Sequence, residues 1–403
     1  MEAEEHVTVV AHGALSGERL AEVSVRASST VAGLTLAVQE ATGLKQLQLL
    51  AGSRPLAGSE TLAAAGLGQG ASVGVVARRT PPVATGSADA TARLWDSASG
   101  ECSQVLRGHH RGLNSVAFSP DADRLASASA DYTAKIWCVA TGACLATLSG
   151  HAHYVNSAAF SHDGRQLATG AAEACTHPSQ MRHQKGAAWV WDVEHCSCTL
   201  RLEGHDGYVN SAVFCRDGRM VLTASNDTTA RLWDLAAGHC VQTFSGHIDY
   251  VISAAFSPDD RSLVTASDDK TARTWDLASD RGCNQTFVGH GGEVRGVAFS
   301  PDGASLATAS KDRTAKLWSV AGGECWRTLI GHRGPVHSVS FAPEGKEVLT
   351  SSLDRTARIW DTEKAVSLHL HAHEACPASR AAACLLSLQG HTSHVFSACF
   401  PYW

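Results

Sequence analysis

The feature that most constrains the fold is a motif that returns at a nearly constant interval along most of the chain. A Gly-His pair occurs seven times, and successive pairs are 42, 54, 42, 43, 42 and 59 residues apart. A tryptophan recurs in step with the pairs, and Asp follows it in five of the seven copies. Self-similarity at this period indicates one small unit that is copied and stacked. The pairs are Gly108-His109, Gly150-His151, Gly204-His205, Gly246-His247, Gly289-His290, Gly331-His332 and Gly390-His391, and the tryptophans are Trp95, Trp137, Trp191, Trp233, Trp275, Trp318 and Trp360.

A third recurring position is an Asp that lies six residues before the tryptophan in six copies. It is found at Asp89, Asp131, Asp227, Asp269, Asp312 and Asp354. Seven in-phase copies of Gly-His and Trp-Asp over roughly residues 82–403 resemble WD40 repeats. The resemblance implies a mainly β fold, a seven-bladed β-propeller whose blades are small antiparallel sheets. The local sequence agrees, because Val251 to Phe256 and Leu263 to Ser267 read as short strands on either side of a turn.

The resemblance also implies a hydrogen-bond network in each blade. The Gly-His histidine is expected to bond the turn Asp, which links on to a Ser or Thr and the tryptophan. Such a buried network works only if each member is satisfied. The third unit lacks the Asp between Gly170 and Trp191 and carries about twelve extra residues there. We therefore expect this unit to have the weakest hydrogen bonding.

Two further residue types follow the repeat. A cysteine lies six residues before each Gly-His glycine, and we expect these thiols to be reduced packing residues at the start of each outer strand. Basic residues two positions before six of the tryptophans are expected to face solvent. The cysteines are Cys102, Cys144, Cys198, Cys240, Cys283, Cys325 and Cys384. The basic residues are Arg93, Lys135, Arg231, Arg273, Lys316 and Arg358.

The ends of the repeat region are complementary. The first unit begins at Val83 with the second strand of a blade, and no innermost strand precedes it. The last Gly-His pair is followed by an innermost strand at His394 to Phe400, with only Pro401-Tyr402-Trp403 after it. We expect this last strand to pair with Val83 to Ser87 and close the ring, because an open sheet edge invites aggregation.

Residues 7–77 do not share the repeat. They read as a hairpin, a helix at Thr30 to Thr42 and two further strands at Leu47 to Leu50 and Ser72 to Val76. This order resembles a ubiquitin-like β-grasp domain. The expected organisation is a tail at 1–6, a ubiquitin-like domain at 7–77, a linker at 78–82 and a propeller at 83–403. The expected hairpin strands run from Val7 to Ala11 and from Leu20 to Val25, and the apolar helix positions are Val31, Leu34, Leu36 and Val38.

The ubiquitin-like resemblance assigns an exposed apolar patch. Leu15, Leu49 and Val76 match its three members, and such a triad is a plausible docking surface. The alternative is that one or two of them pack against the propeller. The chain has no Gly-Gly after this segment, since Arg78-Arg79 runs on into Thr80, so the domain cannot be conjugated as ubiquitin is.

Composition and motifs exclude several classes of function. A net charge of −6 argues against a nucleic-acid-binding surface spread over the whole protein. No apolar run is long enough for a membrane span, and the acidic start lacks a signal-peptide pattern, so we expect a cytoplasmic or nuclear protein. We find no phosphate loop, no His-Glu-x-x-His and no Gly-x-Ser-x-Gly, and therefore predict no enzyme and no cofactor. Gly66-Leu67-Gly68-Gln69-Gly70 lacks the context of a dinucleotide loop.

The remaining candidates for chemistry are two insertions. The second, between Thr362 and Ala383, holds a His-x-His-x-His pattern and a cysteine, a donor set that suits zinc. Its residues are His369, His371, His373 and Cys376. The first insertion holds Cys175, His177 and His183. Each insertion alone reads better as a solvated loop, so the prediction is no metal, with the second as the weak candidate.

The stronger functional signal lies on the face that bears the Gly-His loops. By resemblance, partners contact the residues that flank the first apolar residue of each innermost strand and the residue before the turn Asp. Three of the five tyrosines occupy one such position in consecutive units, and tyrosine is enriched at binding hot spots. These positions hold Tyr154, Asn156, Tyr208, Asn210, Tyr250, Ile252, Glu293, Arg295, Pro335, His337, His394 and Phe396, together with Asn226, Asp268 and Lys311. The alternative is that the tyrosines only fill the rim of the central channel.

The sequence as a whole predicts a non-catalytic scaffold. The propeller face would bind a protein or peptide, and the ubiquitin-like domain would dock a second partner, including components of ubiquitin-linked turnover. Only one of the positions just after the apolar residue is an arginine, Arg295, so a multi-arginine phosphate pocket is not expected. Two alternatives stay open: a structural subunit of a large ciliary or cytoskeletal assembly, and a metal-dependent protein that uses the histidine-rich insertion.

Overall fold

The structure is a computed structural model that describes most of the chain. The described residues are 6–13, 19–42, 47–51, 54–56, 60–77, 82–172, 185–278, 282–366 and 381–401. The chain divides into two compact units, Met1–Thr80 and Pro81–Trp403, which we call the N-terminal and C-terminal units.

The N-terminal unit is a mixed sheet with one helix. Its sheet order is β2-β1-β5-β3-β4, with β1 parallel to β5 and the other neighbouring pairs antiparallel. The elements are β1 (His6–Gly13), β2 (Arg19–Arg26), α1 (Val31–Thr42), β3 (Leu47–Ala51), β4 (Arg54–Pro55) and β5 (Ala71–Ala77). The strands and the helix expected from the sequence are confirmed.

The helix α1 buries one face. Val31, Leu34 and Val38 are spaced by three and four residues, so they share a face, and all three are buried in the core of the unit. Leu36 falls on the opposite face and is exposed. Leu36, although an apolar position of the predicted helix, therefore does not contribute to the core, because the helical period of about 3.6 residues turns it away.

The C-terminal unit consists of repeated four-stranded antiparallel sheets. Among the described residues the strands fall into five four-stranded sheets and one eight-stranded sheet, in which a single parallel bridge between Thr328 and Ala381 joins two groups of four. Counting these two groups separately, we call the groups the first to seventh repeat sheets. The first contains β6 (Val83–Ser87), β7 (Thr91–Trp95) and β8 (Cys102–Arg107); the second, β9 (Leu113–Phe118), β10 (Arg124–Ser129), β11 (Ala134–Cys138) and β12 (Cys144–Leu148); the third, β13 (Val155–Phe160), β14 (Gln166–Ala172), β15 (Gly186–Asp192) and β16 (Ser197–His205); the fourth, β17 (Val209–Phe214), β18 (Met220–Ser225), β19 (Ala230–Asp234) and β20 (His239–Phe244).

The remaining sheets follow the same order. The fifth contains β21 (Val251–Phe256), β22 (Ser262–Ser267), β23 (Thr271–Asp276) and β24 (Cys283–Val288); the sixth, β25 (Val294–Phe299), β26 (Ser305–Ser310), β27 (Thr314–Ser319) and β28 (Cys325–Ile330); the seventh, β29 (Val336–Phe341), β30 (Glu347–Ser352), β31 (Thr356–Val366) and β32 (Ala381–Gln389). The last strand, β33 (Val395–Cys399), joins the first sheet.

The strand β33 completes the first repeat sheet. It lies antiparallel to β6, with Val395 opposite Ser87 and Cys399 opposite Ala84. The pairing expected between the end of the repeat region and Val83 to Ser87 is thus observed. Two strands that are separated in sequence by nearly the whole repeat region therefore lie side by side in one sheet.

The apolar core lies between successive sheets. Each cluster of buried residues draws on two neighbouring sheets, and the tryptophan of one sheet belongs to each cluster. In the cluster between the fourth and fifth sheets, for example, Leu222 and Phe244 pack with Leu263 and Trp275. Another cluster joins the seventh sheet to the first through Leu349, Trp95 and their neighbours. The second strand of each sheet is buried because neighbouring sheets cover it on both sides.

Four of the seven repeated cysteines are half-buried and pack against core clusters as expected, namely Cys198, Cys240, Cys283 and Cys325, whereas the other three are exposed. Each is exposed or half-buried, and each Sγ lies 3.2–3.6 Å from the carbonyl oxygen two residues on. In every repeat sheet the cysteine pairs with the tryptophan at a shift of register, as Cys102 does with Trp95. A bulge leaves backbone groups unpaired. The thiol therefore lies at a bulge of the outer strand, at the margin of the core.

Candidate functional site

In six repeat sheets, a histidine connects the Gly-His loop to the turn Asp. In the second sheet, His109 Nδ1 lies 2.8 Å from Asp131 Oδ2 and His109 Nε2 lies 2.7 Å from Ser127 Oγ. Trp137 Nε1 donates to the same Ser127 Oγ at 2.8 Å. These contacts confirm the network that the family resemblance implies. The equivalent His–Asp pairs, at 2.6–2.8 Å, are His205–Asp227, His247–Asp269, His290–Asp312, His332–Asp354 and His391–Asp89.

The network places two kinds of loop on one face of the unit. The Asp accepts from the backbone N–H after the histidine as well as from the ring, as Asp131 does from His110 N. Burial alone would raise the pKa of Asp131, but the hydrogen bonds from Thr133, His110 N and His109 outweigh it and lower the pKa to about 2. The charged carboxylate therefore fastens the turn to the Gly-His loop. We call the surface formed by these loops and turns the Gly-His face.

The third repeat sheet departs from this arrangement. His151 Nε2 lies 3.0 Å from Thr169 Oγ1, which also accepts from Trp191 Nε1. Among the described residues, no carboxylate contacts His151, and the Trp189 ring lies 4.2 Å from the imidazole centre. Burial lowers the pKa of His151 to about 4. The expectation that this sheet has the weakest network is confirmed for the residues that the structure describes.

The basic residues before the tryptophans are half-buried, not solvent-facing as expected. Arg231 illustrates the reason, because its guanidinium lies over the Gly-His loop of its own sheet. A Cβ on Gly204, whose φ is +148°, would come within 3.0 Å of Arg231 Nη1 and 3.2 Å of the Trp233 ring. Glycine is thus required where the loop crosses the tryptophan and the arginine. In the third sheet Trp189 takes this position, and Arg201 stacks on it at 3.9 Å.

Four side chains form a continuous aromatic surface on the Gly-His face. His153 lies between Tyr132, at 5.9 Å, and Tyr208, at 5.4 Å, with the rings within 27° of parallel. Tyr154 packs edge-on against His153 at 4.4 Å and is 39% exposed. We call Tyr132, His153, Tyr154 and Tyr208 the aromatic row. Arg111 extends it with a cation–π contact of 5.9 Å to Tyr132.

The aromatic row contains two predicted residues and two that were missed. Tyr154 and Tyr208 were predicted from their repeat position, and His153 joins them. His153 directly precedes Tyr154, and Tyr132 directly follows the turn Asp131, so both had positions on the loops of this face that the sequence reading did not use. The third predicted tyrosine, Tyr250, lies on the fifth sheet. It is 47% exposed, and Ile248 near it in the same loop is 86% exposed.

The predicted asparagines hold neighbouring sheets together. Asn156 Nδ2 donates to Val209 O at 3.1 Å, and Asn210 Nδ2 donates to Val251 O at 2.9 Å and to Asn226 Oδ1 at 2.7 Å. These bonds join innermost strands of successive sheets. Ile252, at the equivalent position of the fifth sheet, is half-buried and has no polar group to make such a bond.

Charged residues occupy the other half of the face. Arg295 Nε lies 3.1 Å from Asp268 Oδ1, and Lys311 Nζ lies 3.0 Å from Glu293 Oε1. Burial raises the pKa of Asp268, and the charges of Arg295 and Lys311 oppose that shift. The predicted residues at this place are therefore already paired with one another.

A second aromatic contact lies where the seventh sheet meets the first. The rings of His337 and Phe396 are 4.9 Å apart in an edge-to-face arrangement. His394 packs at 6.2 Å from Phe396, and its Nδ1 lies 2.7 Å from Leu353 O. Burial lowers the pKa of His337 to about 4, so its ring is neutral at physiological pH. Pro335, also predicted, is half-buried beside this contact.

The apolar patch predicted on the N-terminal unit is not found as such. Leu49 is 1% exposed and packs in the core of that unit, so its predicted exposure is wrong. It belongs to β3, whose inward face packs against α1, and the register assigned from the sequence places it outward. Val76 lies in β5. Leu15 lies outside the described residues.

The predicted insertion residues also lie outside the described parts of the chain. These are Cys175, His177, His183, His369, His371, His373 and Cys376. Among the residues that are described, no three His, Cys, Asp or Glu side chains come together as a metal site. The single described helix, α1, is too short to cross a membrane.

Comparison with known proteins identifies the repeats. The family described as "WD domain, G-beta repeat" matches residues 100–138, 142–176, 196–234, 238–276, 281–319 and 323–361, more than half of the chain. A segment of 43 residues is 51% identical to the nuclear distribution protein PAC1 of Mycosarcoma maydis. That match spans 11% of this chain and only 10% of PAC1. WD40 repeats indicate a protein-interaction scaffold, and the chain belongs to the WD40 repeat family.

Proposed function

We propose that the C-terminal unit is a closed, seven-bladed β-propeller. Support comes from the pairing of β33 with β6, which supplies the first sheet with its innermost strand. The clusters of buried residues lead from each sheet to the next and from the seventh back to the first. A closed ring has no free sheet edge at the join and gives the Gly-His face a fixed shape.

We further propose that this propeller is a non-catalytic scaffold that binds a segment of a partner protein across the Gly-His face. The observation that carries the proposal is the aromatic row, a contiguous and partly exposed group of rings on a rigid support. Tyrosine and histidine rings offer large contact area at low entropic cost. Tyr250 and Ile252 would extend the contact to the fifth sheet. Asn156 and Asn210 would set the spacing of the strands beneath it.

The rest of the face would complete the partner surface. Two ion pairs lie beside the aromatic half of the face, one between Arg295 and Asp268 and one between Lys311 and Glu293. His337 and Phe396 present an edge-to-face ring pair across the join. Polar and charged groups around an apolar centre are the usual composition of an interface.

The N-terminal unit is proposed to be a ubiquitin-like β-grasp domain that docks a second partner. Its single helix and the sheet order β2-β1-β5-β3-β4, with a parallel central pair, support that assignment. Leu15 and Val76 remain the proposed contact residues, without Leu49. Ubiquitin-pathway proteins are the proposed class of partner. Joining two partners through one chain would raise their effective concentration.

The test of the scaffold is partner capture from cell extract with the full chain. Tyr208→Ala with Tyr250→Ala is expected to reduce recovery of the partners that the wild type captures, because it removes one half-buried and one exposed aromatic anchor from the face. Leu145→Ala with Val241→Ala is the matched control, since both residues are exposed on outer strands. Equal recovery by the tyrosine variant, shown to be folded by circular dichroism, would place the partner elsewhere.

A second candidate function is that of a structural subunit in a large assembly. The short likeness to a protein whose name is nuclear distribution protein PAC1 favours it. Size-exclusion chromatography of native extract separates the two functions. A stable high-molecular-weight peak that survives dilution supports the assembly subunit, whereas a peak at the size of the monomer supports a transient scaffold.

A further inference from the structure

Four exposed cations lie on loops and turns of the Gly-His face in the fifth to seventh sheets. Lys270, Arg313 and Arg355 occupy the same structural position, directly after the turn Asp of the fifth, sixth and seventh sheets, with φ of 70–72°. Arg333 follows the Gly-His pair of the seventh sheet, and its backbone N–H donates to Asp354 at 2.9 Å. Arg333 therefore lies beside Arg355. We call these four residues the basic rim.

The side chains of the basic rim have no ion-pair partner among the described residues, although an ionised turn Asp directly precedes Lys270, Arg313 and Arg355. No described Asp or Glu side chain forms an ion pair with any of the four cations, whereas the neighbouring Lys311 and Arg295 are each paired. The chain has a net charge of −6, so a cluster of unpaired cations is not what its composition leads one to expect. Unpaired like charges on one surface repel each other, and a ligand of opposite charge relieves that repulsion.

The two halves of the face differ in character. The aromatic row occupies the second to fourth sheets, and the exposed carboxylate of Asp206 lies two residues before Tyr208 of that row, whereas Asp249 lies on the loop of the fifth sheet. The basic rim occupies the fifth to seventh sheets. A ligand that crosses the face therefore meets aromatic rings at one end and cations at the other.

We propose that the basic rim binds an acidic stretch of the partner segment that the aromatic row anchors. This inference rests on the scaffold function proposed above and adds the chemistry of the partner. Arginine forks bind carboxylates in a bidentate manner, and three of the four rim residues are arginines. A protein segment fits better than a nucleic acid, because the exposed carboxylate of Asp206 beside Tyr208 would repel a phosphate backbone that followed the aromatic row.

The cations of the basic rim lie on loops and turns and not on the innermost strands. Among the residues that follow the first apolar residue of each innermost strand, Arg295 is the only arginine or lysine. In the structure the Arg295 guanidinium forms an ion pair with Asp268. The cations without an ion-pair partner include those on the turns between the second and third strands, which the His–Asp hydrogen bonds hold in place.

The probe for this inference is a fluorescein-labelled peptide that joins a run of about six glutamates to a Phe-Leu-Phe segment, measured by anisotropy with the full chain. The triple variant Lys270→Glu, Arg313→Glu, Arg355→Glu is expected to weaken binding about tenfold, since each exposed pair contributes a few-fold. The triple variant with Gln at the same positions should fall between it and the wild type. Raising the salt concentration should weaken the wild type more than either variant.

The matched control is Arg165→Glu, Arg261→Glu, Lys346→Glu. These cations are exposed on turns between the first and second strands of their sheets, at the opposite end of the strands from the rim. The control changes the net charge by the same amount and should leave peptide affinity within about twofold of the wild type. Thermal unfolding of all three triple variants verifies that each is folded.

Three outcomes would overturn the inference. The first is an equal loss of affinity in the rim and control variants, which would reduce the effect to net charge. The second is equal binding of a peptide with lysines in place of the glutamates. The third is rim-dependent binding of a single-stranded DNA oligonucleotide that is tighter than that of the acidic peptide. If the rim variant still captures the cellular partners that the Tyr208→Ala, Tyr250→Ala variant loses, the proposed scaffold function is retained and the proposed acidic ligand of the rim is rejected.

Discussion

At the scale of the residue, the C-terminal unit depends on a histidine that is held from both sides. One ring nitrogen faces a carboxylate whose pKa is lowered, and the other faces a hydroxyl shared with a tryptophan, as in His109, Asp131 and Ser127. The repeat spacing and the family resemblance predict these partners. The sequence shows Trp189 in place of the basic residue of the third unit, but it does not show that this ring packs against His151 where the Asp is absent. That contact follows from the packing of the third sheet.

The third-sheet histidine gives a prediction on pH. The pKa of His151 is about 4 in the folded protein, below its ordinary value of 6.5, so the unfolded chain binds a proton that the folded protein does not. Folding stability should therefore fall as pH drops from 6.5 towards 4, with a contribution from His151 of about 3 kcal/mol. Urea unfolding at several pH values measures the fall.

The variant His151→Gln should have a shallower pH dependence over this range. His162→Gln is the control, because His162 is exposed and its loss should not change the slope. The turn Asp acts at lower pH. The contribution of Asp131 to folding stability is present above its ordinary pKa of 3.8 and is lost as pH falls towards 2. An unchanged slope for His151→Gln would contradict the assignment of this histidine as neutral and buried.

At the scale of the element, strands of neighbouring sheets are joined by side chains as well as by packing. Ser157 Oγ accepts from Gly170 N in its own sheet and from Ala212 N in the fourth sheet, both at 3.1 Å. Strand positions were predictable, because alternating apolar residues and turn residues mark them. These cross-links and the bulge at each cysteine were not, because they depend on how adjacent sheets approach and twist.

The cross-link predicts a position-specific loss of stability. Ser157→Ala leaves two backbone N–H groups without their acceptor and should cost about 2 kcal/mol, measured by chemical unfolding. Ser211→Ala is the matched control at the equivalent position of the fourth sheet, where the hydroxyl has no hydrogen-bond partner among the described residues. Its effect should stay within about 0.5 kcal/mol. Equal effects of the two substitutions would show that the Ser157 bonds contribute nothing beyond packing.

At the scale of the whole molecule, the sequence predicts the division into an N-terminal segment and a repeat region, and the structure separates the units at Thr80–Pro81. The Gly-His face is less predictable. Tyr154 and Tyr208 follow from the repeat position, but the aromatic row also needs His153 and Tyr132, which belong to different loops. The sequence misplaces Leu49, because a slip of one residue in a strand exchanges its buried and exposed faces.

The join of the repeat region gives a prediction for the whole molecule. Deletion of residues 392–403 removes β33 and Phe400, which belongs to the core between the seventh and first sheets. The truncated protein should aggregate or unfold at a much lower temperature, because β6 is left with an open edge. Light scattering and thermal unfolding measure the effect, with a chain whose residues 392–403 are replaced by Gly and Ser as the control for length. A truncated protein that melts like the full chain would refute the closure.

The pairing of β33 with β6 also sets the order of events during synthesis. The strand β6 is made early, but its partner leaves the ribosome only after residue 399 has been added. At typical translation rates of about 5–20 residues per second, the edge of β6 waits roughly 15–60 s for its partner. The first repeat sheet is therefore completed last, and the nascent chain needs protection at that edge until then.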